Sequence, residues 1–281
     1  MLKITRLSAK FDIIPLFNGK ITISSVQLFG FNINLNKPAP HMEPNFKFVL
    51  DAFASKDTVK TKKDIDLRIN SILIRRGKLS YDVLSEEETP GKFNPQHIKL
   101  HNIIANISLK ALQNDSINAA IKRLSVDEQS GFELRKLSLK VIANNKGMKI
   151  ENFAIEMPGT EMKMDTIRME YDSLKALNHF ADNVRFSFRT LPSHVTLNDI
   201  SAFVPALSNF KEKLDLNIDV EGTLNQLNCR TLEINAGDKF RLKGDVSLQD
   251  LSRPQDAYVY GHLANLSANK EGIGFLVRNL S

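Results

Sequence analysis

Apolar and polar residues alternate strictly along much of this chain. In Asp64-Ile65-Asp66-Leu67-Arg68-Ile69 every second side chain is apolar, so an extended backbone puts grease on one face and charge on the other. Leu214, Leu216, Ile218 and Val220 behave the same way, separated by Asp215, Asn217 and Asp219. Helical spacing cannot generate that period. These segments are predicted to be strands with one wet face.

A second pattern overlies the first: apolar parity flips after a two-residue step. It appears as Ile21, Ile23, Val26, Leu28, again as Leu67, Ile69, Ile72, Ile74, and again as Met162, Met164, Ile167, Met169. A turn, bulge or corner at each step is needed to return the apolar residues to one side. The first two copies match at a shift of 46 residues, which carries Ile33 and Leu35 onto Leu79 and Tyr81. Similar β units stacked side by side would produce such a match.

Helical spacing is confined to short stretches. Phe46, Val49, Leu50 and Phe53 form one, with Asn45 placed as N-cap, and Ile200, Phe203, Val204 and Leu207 form another that Pro205 interrupts. Ser173 is positioned to cap a third through Phe180, and Phe275 and Leu276 belong to a last one. Loops are predicted around Asn36–Pro44, Ser85–Pro95 and Ser252–Asp256. None has the length or composition of a linker, so residues 1–281 are expected to form one continuous body. The fold class that follows is mainly β: a long, curved, repetitive sheet, open like a groove, with a few short covering helices.

Composition adds constraints. At 42% hydrophobic and 25% charged the chain is ordinary globular material. Its one cysteine, Cys229, excludes a disulfide framework within the chain. No run approaches the roughly 20 apolar residues of a membrane-spanning helix, and the start lacks a signal-peptide layout. The net charge of +6 is mild, and its densest basic stretch, Lys56 to Lys78, alternates with apolar residues as a half-buried strand does.

Chemistry is hard to find. His97 and His101 stand four apart but in a strand-like context, without the glutamate of a zinc protease motif. No serine sits in a glycine elbow, no glycine loop cradles phosphate, and Cys229 in Leu227-Asn228-Cys229-Arg230 is expected to be an inert thiol. Glu86-Glu87-Glu88 reads as a solvated loop. In Arg185-Phe186-Ser187-Phe188-Arg189 the rings share one strand face and the arginines the other, which favours core over nucleic-acid binding. The chain is therefore expected to be no enzyme, with no catalytic, cofactor or metal residues and no nucleic-acid partner.

Several stretches resemble the AsmA-like/TamB family, most of all the long TamB (translocation and assembly module) proteins of Bacteroides-type bacteria. They are Pro44-Asn45-Phe46-Lys47-Phe48-Val49-Leu50-Asp51-Ala52-Phe53-Ala54, Leu67-Arg68-Ile69-Asn70-Ser71-Ile72 and Gly77-Lys78-Leu79-Ser80-Tyr81-Asp82. Further echoes are Thr89-Pro90-Gly91-Lys92-Phe93-Asn94, Ile107-Ser108-Leu109-Lys110-Ala111-Leu112 and Ser201-Ala202-Phe203-Val204-Pro205-Ala206-Leu207. The resemblance implies a periplasmic segment of a protein anchored in the bacterial inner membrane by an N-terminal helix. It also implies bridge-like lipid transfer, with phospholipid lying in an apolar β-groove on its way between the two membranes. The chain departs from the full pattern in lacking the anchor helix and the C-terminal domain, so it is expected to be an internal segment.

Candidate groove lining is the alternating set Ile21, Ile23, Val26, Leu28, Leu67, Ile69, Ile72, Ile74, Leu214, Leu216, Ile218 and Val220. Burying each methylene of an acyl chain is worth about 0.8 kcal/mol, so such a lining needs no polar specificity group. A second reading is a scaffold that assists outer-membrane protein assembly by sheet-edge pairing, beside a partner of the TamA/BamA type. A third, a β-rich carbohydrate hydrolase, needs paired carboxylates on a concave face, whereas Asp64, Asp66, Asp215 and Asp219 alternate along solvent faces.

Overall fold

The computed structural model describes residues 2–13, 21–47, 67–113, 116–253 and 255–274, with side chains left undescribed at 21–22, 67–69, 110–113 and 116. The chain is mainly β, 62% strand against 10% helical, as the alternation predicts. Contacts group it into two compact units, Met1–Leu109 with Arg123–Glu133, and Lys110–Lys122 with Leu134–Ser281. The helix expected over Phe46–Phe53 is described only as far as Lys47, and the last one at Phe275 and Leu276 falls outside the described residues.

In the first unit β1 (Leu2–Asp12), β2 (Ile21–Lys37), β4 (Ser71–Val83) and β5 (His97–Gln113) lie side by side in that order, with β3 (Leu67–Ile69) beside β2. β1 runs antiparallel to β2, and β5 antiparallel to β4. β2 and β4 are parallel, and their register explains the sequence repeat. Ile21 pairs with Leu67, Val26 with Ile72, Leu28 with Ile74 and Ile33 with Leu79. The 46-residue shift is therefore the strand register itself, and it even joins polar residues: Ser80 Oγ donates to Asn34 Oδ1 at 3.2 Å across 46 positions.

The parity flips are bulges and breaks. The Ile23–Val26 step coincides with a register shift opposite Lys10 and Phe11, and the Ile69–Ile72 step is the gap at Asn70 between β3 and β4. A further flip escapes the hydrophobic pattern. Gly30 (φ +64°) and Arg76 (φ +54°), one repeat apart, both adopt the left-handed backbone of a bulge. Just beyond Arg76, Gly77 leaves room for a neighbour: a Cβ there would lie 2.4 Å from the Phe31 ring and 3.1 Å from Ile103 Cβ. Among the described residues Phe31, Ile103, Ala105 and Val83 are the buried apolar residues of this unit.

β6 (Ser116–Glu128) follows, divided between the two groupings. The second unit orders β7 (Glu133–Ala143), β8 (Gly147–Glu156), β10 (Ile167–Glu170), β11 (Arg185–Arg189), β13 (Lys213–Thr223), β14 (Gln226–Asn235), β15 (Phe240–Gln249) and β16 (Tyr258–Ala268), every paired neighbour antiparallel. Short β9 (Glu161–Met164) pairs with β8 and with β12 (Ser193–Thr196), which pairs with β13. The Met164–Ile167 step is the break between β9 and β10.

Helical structure is brief. A 3-10 stretch, Leu174–His179, runs into α1 (Phe180–Asn183) where the Ser173 cap predicts a helix, but Ser173 makes no side-chain cap bond. The Ile200–Leu207 spacing yields two 3-10 turns, Leu197–Ile200 and Pro205–Leu207, because proline opens the second and cannot continue the first. The core of this unit gathers Leu214, Ala236 and Phe240, packed by Val195, Leu197, Leu216, Ile234 and Leu242.

Candidate functional site

Strand register assembles the alternating residues into apolar rows. In the first unit Ala9, Val26, Ile72 and Ile107 face one another across four strands, and Leu7, Leu28, Ile74 and Ala105 form the next row. Leu2, Ile33, Leu79 and Leu100 form another beyond the bulges. The bulges at Gly30 and Arg76 keep these rows on one face. Ile23, Val26, Leu28, Ile72 and Ile74 are half-buried, while Leu2, Leu7 and Phe11 on β1 are exposed. Ile21, Leu67 and Ile69 keep the expected backbone register, but their side chains lie outside the described residues.

The second unit repeats the arrangement. Leu216, Ile234, Leu242 and Leu266 make one row across β13 to β16, and Ile218, Leu232, Gly244 and Leu263 the next. Of the four candidates on β13, Leu214 and Val220 are buried while Leu216 and Ile218 are half-buried. At β16 the face is open, with Val259, Leu263 and Leu266 at 62%, 48% and 58% exposure. Phe186 and Phe188 also point to this side, pairing with Gly222 and Val220; their rings stack at 6.4 Å, and Arg185 and Arg189 are exposed.

The opposite face of the second unit is a lattice of charge pairs. Lys136 binds Glu156, Lys243 binds Glu233, and Lys140 and Lys149 both hold Glu151. Those two ammonium groups, Lys140 first, pull the Glu151 carboxyl down to about 2. Asp219 is buried between Arg189 Nη2 at 2.6 Å and Arg230 Nη2 at 3.2 Å, and the Arg189 bond dominates in lowering its pKa. Arg230 is turned towards Asp219 and Glu221, away from any role in activating Cys229. Burial raises the Cys229 thiol, whose Sγ donates to Thr231 O, so it is a poor nucleophile.

Two further places bring polar and ionisable side chains together. Asp82, Glu88 and His97 bring ligand-type atoms within 4.8 Å of one another. Their bonds are already made: His97 Nδ1 meets Asp82 Oδ1 at 3.2 Å, His97 Nε2 meets Glu86 O at 3.0 Å, and Lys99 Nζ donates to Glu88 at 3.0 Å. The cluster pins the 84–96 loop onto β4 and β5, and Lys99 already supplies its cation. His101 turns elsewhere, to Asp127 at 3.7 Å, so the two histidines spaced four apart do not converge. A cleft of about 980 Å³ in the second unit is lined by Lys146, Glu170, Tyr171, Lys175, His179 and Arg185. Among the described residues it holds no hydrogen-bonded nucleophile and base. Sequence spacing missed this cluster altogether, because Asp82 comes from β4, His97 from β5 and Glu88 from the loop between them. No family model, no curated protein and no solved structure matches the chain.

Proposed function

We propose that this chain is a periplasmic segment of an AsmA-like/TamB-type bridge protein whose apolar sheet face holds phospholipid acyl chains in transit between the inner and outer membranes. The longer protein would be anchored in the inner membrane and would serve outer-membrane biogenesis. The observation that carries this reading is the set of register-aligned rows that stay half-buried, such as Val26–Ile72 and Leu216–Ile234. A sheet face of that kind gains free energy from any hydrocarbon laid along it, at about 25 cal/mol per Å² removed from water. Nothing polar on the rows selects a headgroup, which suits a conduit better than an enzyme. Lipid extraction and native mass spectrometry of the chain purified from a bacterium test the proposal: bound phospholipid supports it, and a lipid-free chain that takes up no fluorescent phospholipid refutes it.

A second reading, assistance of outer-membrane protein assembly beside a TamA/BamA-type partner, is favoured by one observation. β16 carries no Lys, Arg, Asp, Glu or Pro, and all 11 of its residues are exposed. Edge strands are usually blunted by charge or proline, so an uncharged edge is suited to receiving another strand. Crosslinking from β16 to a nascent barrel strand, with no lipid bound, would favour this second reading.

A further inference from the structure

Among the described residues the charge pairs of the second unit have no counterpart on the polar face of β1, β2 and β4. There Arg6 on β1 pairs in register with Phe29 on β2, and Phe29 with Arg75 on β4. Arg76 folds over the same ring, its guanidinium carbon 5.2 Å from the centroid. Arg6 and Arg75 thus flank Phe29 in register while Arg76 covers its ring, and Arg6, Phe29 and Arg75 line a cleft of about 300 Å³ that Gln27, Leu28 and Leu73 complete. Lys3 and Lys10 extend the array along β1 and Lys78 along β4. Among the described residues none of these six cations has a carboxylate within salt-bridge distance, whereas Lys136, Lys140, Lys149, Lys163, Arg189 and Lys243 elsewhere on the sheet are each paired.

The backbone gives an independent reason to regard the array as selected. Arg76 holds a left-handed conformation (φ +54°) that strains any residue carrying a Cβ, while glycine fills the equivalent position one repeat earlier, at Gly30. Packing alone would be served better by glycine at both. An arginine kept at that position, stacked on Phe29 and unpaired, has its remaining N–H donors aimed at solvent, where a phosphate can accept them.

We propose that the Arg6, Arg75, Arg76 and Phe29 cluster binds the phosphate groups of anionic phospholipid and docks this edge of the sheet, with β1 lying along it, on a bilayer surface. Charge complementarity calls for an anion, and two features select a membrane over nucleic acid. One face of the cluster's single aromatic ring is already taken by Arg76, which leaves a poor platform for successive bases to stack on. The adjoining edge strand is amphipathic: β1 turns Lys3, Arg6 and Lys10 to the polar side and exposes Leu2, Leu7 and Phe11 on the other. Such a strand can lodge apolar side chains below the headgroups while its cations meet phosphate. The site lies on the face opposite the apolar rows and does not depend on acyl chains binding there.

The test is flotation of the full chain with vesicles of phosphatidylcholine containing one quarter phosphatidylglycerol, beside vesicles of phosphatidylcholine alone. Binding is expected to the anionic vesicles only and to weaken with salt. Arg76→Gly suits the backbone and should fold at least as well as the parent, yet bind about fivefold more weakly. Arg6→Gln, Arg75→Gln and Arg76→Gly together should cost about a hundredfold on the same scale. Arg76→Gly binding anionic vesicles as tightly as the parent overturns the proposal, as does a single-stranded oligonucleotide that binds more tightly than the vesicles. Acyl-chain occupancy of the apolar rows should be the same in parent and variants, so failure of docking and failure of the conduit reading give different results.

Discussion

At the scale of single residues the sheet is governed by where backbone and side chains crowd. Gly77 is surrounded by Phe31 and Ile103, and a methyl at that position would overlap the Phe31 ring. Gly77→Ala is expected to destabilise by about 1–3 kcal/mol, the usual cost of overpacking, and a further Phe31→Leu change should recover part of it. Thermal melts of the single and double variants check this; simple additivity of the two losses would contradict the contact. Charge supplies a second residue-scale expectation. Glu151 is held down to about 2 by Lys140 and Lys149. A carboxyl lowered in the folded state stabilises the fold above its unfolded value and loses that effect as pH falls through the folded one. Its contribution is full above about 4.5 and is lost on the way to 2. Glu151→Gln should lower the melting temperature slightly above about pH 4.5, where that contribution is present, and flatten its fall towards pH 2, so that variant and parent converge in acid.

Elements were legible where period alone decides. Asp215, Asn217 and their apolar partners on β13 alternate in the structure as in the sequence, because one face meets Ile234 and Val195 while the other meets water. The 46-residue repeat was legible too, since parallel neighbours of equal pattern stack residue on equivalent residue. The bulge shared by Gly30 and Arg76 was hidden: an arginine at positive φ leaves no signature in hydropathy. Likewise the arginine cluster joins β1, β2 and β4, positions that no local window compares. The candidate rows were legible as a set, but which members are buried depends on cover. Leu214 is closed over by Leu197 from a 3-10 turn, a contact between separate segments. Edges follow the same logic. On uncharged β16, Val259→Lys with Leu263→Lys should reduce self-association in light scattering without lowering the melting temperature. Unchanged association would show that this edge is not the sticky one.

For the whole molecule the decisive contrast is between a sealed core and a face that lipid can cover. Leu214→Asp places a carboxylate in the cluster with Ala236 and Phe240 and should cost several kcal/mol, a large part of the roughly 5–15 that holds a domain together. Ile72→Asp and Ile218→Asp fall on half-buried positions where the carboxylate can hydrate, and should cost about 1 kcal/mol each. The most direct measurement is native mass spectrometry of phospholipid retained by the chain purified from a bacterium, for the parent, the Ile72→Asp/Ile218→Asp variant and Arg76→Gly. The expected result is bound phospholipid in the parent and in Arg76→Gly, and sharply less in the doubly substituted apolar face. Equal phospholipid in all three, or none in the parent, would contradict the claim that the apolar rows carry acyl chains.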